Sequence, residues 1–98
     1  MAKAYWVTTY RSISNPDALA AYAKLAGPAI LAAGGKFLMR GNAVEAWEAG
    51  QKQRTVVIEF PGLKQALAAR GTPGYQEALR ALGTDACVRD MRVVEGVE

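Results

Sequence analysis

Arg40, Glu45 and Glu59 are the residues of this chain whose types and spacing could do chemistry. Arg40 and Glu45 flank Gly41-Asn42, a two-residue turn of the type II′ kind, so they lie diagonally on one face of an expected hairpin. Glu59 follows in the strand-like run Arg54–Phe60, where alternation groups it with Thr55 and Val57. If those faces coincide, the three form a charged cluster on the sheet surface away from the helices. Two readings of that cluster stand side by side. In one, Glu59 is a catalytic acid or base with a raised pKa, and Arg40 anchors an anionic ligand. In the other, the charges are an ion-pair network that fixes the register of two paired copies. Tyr22 and Tyr75, with Glu45, are the ligand-binding candidates. The tyrosine hydroxyls either project into a cleft between helix and sheet or tip rings whose main work is packing.

The residues that are missing narrow the chemistry further. The sequence holds no histidine, which removes the commonest general base and metal ligand and the usual proximal haem ligand. Neither a Ser-His-Asp nor a Cys-His site can be built, and a single cysteine, Cys87, leaves no metal-binding spacing. We expect no metal and no cofactor. Cys87 also excludes an internal disulfide and reads as a packed residue in a reducing, cytoplasmic setting. Gly34-Gly35 ends a helix, whereas a phosphate cradle begins one. The net charge of +3 is spread along the chain without a basic stripe, so no nucleic-acid partner is expected. No apolar run approaches a membrane span, and no membrane partner is expected.

These side chains need elements to position them. Lys3–Arg11 is dense in β-branched and aromatic residues and reads as a strand. Asn15-Pro16-Asp17 starts a helix, with Leu19, Tyr22, Ala23, Ala26, Ile30 and Ala33 as its inward stripe. Pro28 predicts a kink or break, and Gly34-Gly35 the stop. Strands Lys36–Arg40 and Ala43–Glu48 would then pair around the turn, with Phe37, Met39, Val44 and Ala46 facing the helices. Leu38, Arg40, Glu45 and Trp47 would face away. Unbroken Val56-Val57-Ile58 predicts a central strand. Leu63–Arg70, with Leu63, Ala66 and Leu67 inward, and a helix from Thr72-Pro73 to Gly83 precede a last strand, Cys87–Val97. Residues 1–98 thus read as one α+β domain of the ferredoxin-like split βαβ plan, βαββαβ, with an antiparallel sheet. Trp6 and Trp47 read as core or interface anchors.

GGKFLMRG at residues 34–41, RTVVIEFPG at 54–62, the Pro73–Gln76 element and the closing VVEGVE together resemble domain-of-unknown-function family 1330 of the dimeric α/β-barrel superfamily. The resemblance runs from Tyr5-Trp6 to Glu98. It implies a protomer whose sheet pairs with that of a second copy to form a barrel, and no established activity. The superfamily includes cofactor-independent monooxygenases and small-molecule isomerases or lyases. Two places depart from the pattern. Thr72-Pro73-Gly74-Tyr75 stands where the family reads like Ser-Pro-Glu-Tyr, and Leu82-Gly83 occupies the region of an arginine about two turns after the tyrosine. The chain therefore reads as a small homodimer, paired through its sheet face, that binds or transforms a small molecule between sheet and helices. The alternative is a non-catalytic dimeric binding or accessory module.

Overall fold

Patterning sends one face of each element inward, and the computed structural model, which describes residues 2–97, shows where those faces meet. Met1 and Glu98, the ends of the expected 1–98 domain, lie outside the described residues. The order is β1 (Ala4–Ile13), α1 (Pro16–Ala32), β2 (Lys36–Asn42), β3 (Arg54–Phe60), α2 (Leu63–Arg70), α3 (Pro73–Leu82) and β4 (Cys87–Glu95). The strands form one antiparallel sheet in the order β2-β3-β1-β4. This is the ferredoxin-like arrangement, with β3 inside the sheet as its β-branched run requires.

Alternation along β1 and β3 separates the two faces of the sheet. Ala4, Trp6, Thr8 and Tyr10 with Val56, Ile58 and Phe60 turn inward and are buried. Tyr5, Val7 and Thr9 with Thr55, Val57 and Glu59 turn to the opposite face. Helix α1 lays Tyr22, Ala26 and Ile30 on the inward side, as its spacing predicts. Asn15 caps the helix by accepting from the Ala18 N–H at 3.1 Å. At its other end Gly34 takes φ +95°, and Gly35 lets the chain pass where a Cβ would lie 2.5 Å from Ile30 Cγ2.

The structure corrects several expectations. β2 pairs with β3 rather than with Ala43–Glu48, which belongs to an irregular connection closed by Ala43 N–H donating to Gln53 O at 3.1 Å. Pairing with β3 packs Phe37 beside Ile58 in the core, whereas pairing with residues 43–48 would have offered only Val44 and Ala46. Val44 is left 92% exposed and Met39 55% exposed, so neither faces the helices, and Trp47 at 80% exposure anchors no core. Pro28 does not break α1. It sits on the exposed side of one continuous helix, where the carbonyl it frees is open to water. In α2 it is Ala66 and Ala69 that are buried, while Leu63 and Leu67 are exposed. The small residues let α2 come close enough for the Trp6 indole N–H to donate to Ala66 O at 2.8 Å. β1 runs to Ile13, and β4 ends at Glu95.

Candidate functional site

A pocket of about 40 Å³ lies between α1 and the inward face of the sheet. Its walls are mostly apolar or aromatic: Leu19, Ala26 and Ile30 from α1, and Trp6, Phe37 and Ile58 from the sheet. Into this setting the fold brings Arg40, Arg54 and Arg89, together with Tyr10 and Tyr22.

Each arginine reaches the pocket for a local reason. Arg40 arrives through a bulge: Phe37 pairs with Ile58 and Met39 with Val57, leaving Leu38 as the extra residue. Strict alternation would have put Phe37 and Arg40 on opposite faces. The bulge brings both to the inward one, with the Arg40 guanidinium 4.7 Å over the Phe37 ring. Arg54 opens β3 across from Asn42, in the same parity as Val56 and Ile58. Arg89 pairs with Tyr10 across β1 and β4. Its guanidinium donates to the Tyr10 hydroxyl at 3.2 Å and lies 4.7 Å over the Tyr22 ring.

Tyr22 and Tyr75 meet behind this group, their hydroxyls 2.6 Å apart and buried. The rings are edge-on, with centroids 6.0 Å apart. Thr72 caps α3 by accepting from the Tyr75 N–H at 3.4 Å. Gly74, which stands where the resemblance has an acid, is a point of close helix approach: a Cβ there would lie 3.2 Å from Ala29 Cβ of α1.

The electrostatics are one-sided. Burial, reinforced by Tyr75, pushes the Tyr22 hydroxyl well above the usual phenol range. Burial also raises Tyr10, against the lowering influence of Arg89. Burial alone would weaken the Arg89 proton, but its interactions with Tyr22 and Tyr10 outweigh that and hold it more firmly. Tyr10 and Tyr22 are therefore neutral at ordinary pH, and Arg89 is charged. Among the described residues the ion pairs are Lys3–Glu59, Arg11–Asp90, Lys52–Glu45 and Arg92–Asp90, and none reaches into the pocket. The Arg54 Nε is buried without a hydrogen-bond partner. No cluster of His, Cys, Asp or Glu among the described residues is placed to hold a metal ion. What the pocket offers a guest is positive charge and neutral hydroxyls.

The expected cluster of Arg40, Glu45 and Glu59 is not assembled. Only Arg40 faces the pocket. Glu59 lies on the opposite sheet face, 3.3 Å from Lys3 Nζ, and accepts from the Tyr5 hydroxyl at 3.4 Å. Glu45 belongs to the connection between β2 and β3, where it accepts from the Ala46 N–H at 3.0 Å and lies 3.6 Å from Lys52 Nζ. The cluster depended on a register that β2 does not adopt. Tyr22 does line the cleft, and Tyr75 stands one hydrogen bond behind it. Arg54 and Arg89 were missed. Arg54 carried a readable signal, a charge at the inward parity of RTVVIEF, shared with Val56, Ile58 and Phe60.

The family model described as Domain of unknown function (DUF1330) matches residues 3–97. Among solved structures, the chain is similar to the RPA0582 protein of unknown function from Rhodopseudomonas palustris, with 19% identity and a TM-score of 0.71 over 99% of this chain and 84% of that one. The methylated form of RPA0582 matches at 18% identity and TM-score 0.71, over 99% and 82% of the two chains. A candidate antibiotic biosynthesis monooxygenase from Caulobacter crescentus CB15 matches at 15% identity and TM-score 0.64, over 99% and 92%. At these identities the likeness concerns the fold alone. No curated protein matches the sequence.

Proposed function

We propose that this chain, which belongs to the DUF1330 family, binds or transforms a small molecule, without a cofactor, in the pocket between α1 and the sheet. One observation carries the reading: an apolar cavity into which a few polar groups converge, the usual form of a small-molecule site. Arg40 and Tyr22 are the residues we place against the ligand, and Tyr75 positions Tyr22 through the shared hydroxyl contact. The catalytic pairing of Arg40 with Glu59 narrows accordingly. Arg40 stays with the pocket, and Glu59 takes the ion-pairing role at the outer face of the sheet. Any chemistry here would stabilise negative charge, through the arginines and through hydrogen bonds donated by neutral phenols, since no carboxylate lines the pocket.

The working unit in this reading is a homodimer. The face opposite the helices carries Met39, Val57 and Val7 in one row across three strands, with Tyr5 and Val94 in the next. Met39 and Val94 are 55% and 49% exposed, in a slab of 37 × 34 × 17 Å. A second copy laid on that face would bury the row. No helix among the described residues is long and apolar enough to cross a membrane.

Tryptophan fluorescence tests the pocket. The chain has two tryptophans, Trp6 in the pocket wall and Trp47 exposed, so Trp47→Phe leaves Trp6 as the sole reporter. A library of small aromatic and aliphatic compounds, charged and neutral, should contain members that change Trp6 emission saturably. A library in which none does would overturn the reading.

A further inference from the structure

From the pocket's charge and its unpartnered guanidinium we propose that the ligand is an organic carboxylate, its oxygens held by Arg54 and Arg89 and its apolar body lying against the walls. The inference rests on the pocket reading above and adds the chemical class of the guest.

Three independent features converge on it. The first is the charge balance. Arg40, Arg54 and Arg89 all line one small cavity, and no Asp or Glu lines it with them. Like charges gathered at an apolar wall are unfavourable unless something neutralises them. The ion pairs among the described residues all lie elsewhere, and none of them neutralises the three.

The second feature is the orphaned donor. Arg54 Nε is shielded from solvent and donates to nothing. Buried donors are nearly always paired, and an unpaired one calls for a partner that the described residues do not supply. Within one guanidinium the Nε–H and the Nη–H beside it present two parallel donors, the geometry that matches both oxygens of a carboxylate. Arg89 is already partly engaged, one arm on the Tyr10 hydroxyl, and is thereby held in place.

The third is the lining and the size. A cavity of about 40 Å³ has room for a carboxylate group but not for a polyanion with a bulky polar shell. The walls that continue from the arginines, Phe37, Ile58, Trp6 and Ile30, suit an apolar or aromatic body. Arg40, exposed where it lines the pocket, adds a third cation beside the guest.

Benzoate, benzamide and benzamidine are nearly the same shape and differ in charge, which makes them the decisive probes. In the Trp47→Phe protein, benzoate should change Trp6 emission saturably and bind at least tenfold more tightly than benzamide, with benzamidine weaker still. Arg54→Lys, which keeps a cation but loses the Nε–H, should weaken benzoate at least fivefold and benzamide by a smaller factor. If Arg54→Lys fails to fold, Arg40→Met at an exposed position should weaken benzoate by a smaller factor, and the charge series in the parent decides the matter without either variant. Benzamide binding as tightly as benzoate would overturn the carboxylate assignment while the pocket reading stands. No binding by any of the three, with other library members still changing Trp6 emission, would also overturn the assignment alone. Failure of the whole library would overturn both.

Discussion

Tyr10 and Tyr22 give the account its sharpest test at the residue scale, because both hydroxyls are held above the ordinary phenol value of 10.0. Burial is the main cause in each, with Arg89 opposing it for Tyr10 and Tyr75 adding to it for Tyr22. A raised folded-state pKa favours the native state fully below the unfolded pKa. Above about pH 10 the unfolded chain loses these protons while the folded chain keeps them, so stability declines with rising pH. The slope from each tyrosine can reach at most about 1.4 kcal/mol per pH unit, where its unfolded form is ionised and its folded form is not. Urea denaturation between pH 9 and 11 should show the decline, and tyrosinate absorbance from these two residues should emerge only with unfolding. A reversible tyrosinate signal from all four tyrosines in the folded protein would contradict the burial of the pair.

At the element scale the tight turn from α1 into β2 is the most constrained junction. A methyl added at Gly35 would meet Ile30 Cγ2 at 2.5 Å, Ile30 O at 3.0 Å and Ile58 Cγ2 at 3.1 Å. Gly35→Ala should therefore cost about 1–3 kcal/mol through overpacking, read from its denaturation midpoint. An unchanged midpoint would mean that the junction relaxes freely. The same region shows what was legible beforehand. The helix stop, the inward stripe of α1 and the central character of β3 follow from spacing and residue type alone. The partner of β2 did not, because Gly41-Asn42 mimics a hairpin turn, and only burial of Phe37 against Ile58 decides between the two strands available. The bulge at Leu38 was equally hidden, since no residue type announces it. That single extra residue moves Arg40 from the outer face to the pocket. Arg89 was missed because its partner Tyr10 is 79 positions away in sequence.

At the scale of the whole molecule, a sheet covered by helices on one side only leaves an apolar row to be hidden. In the homodimer reading, Val57→Arg should shift the sedimentation coefficient from dimer to monomer at micromolar concentration and leave far-UV circular dichroism unchanged. A wild-type protein that sediments as a monomer would sink the reading. The pocket opens away from that row, under α1, so ligand binding should survive in the Val57→Arg protein.

The most direct test of the central claim, a pocket that selects an organic anion, is the side-chain Nε–H resonance of Arg54 in a ¹⁵N-labelled protein, identified by its loss in Arg54→Lys. Titration with benzoate should move that resonance to saturation, and benzamide at the same concentrations should leave it in place. A resonance that ignores benzoate, or that moves equally with benzamide, would contradict the claim.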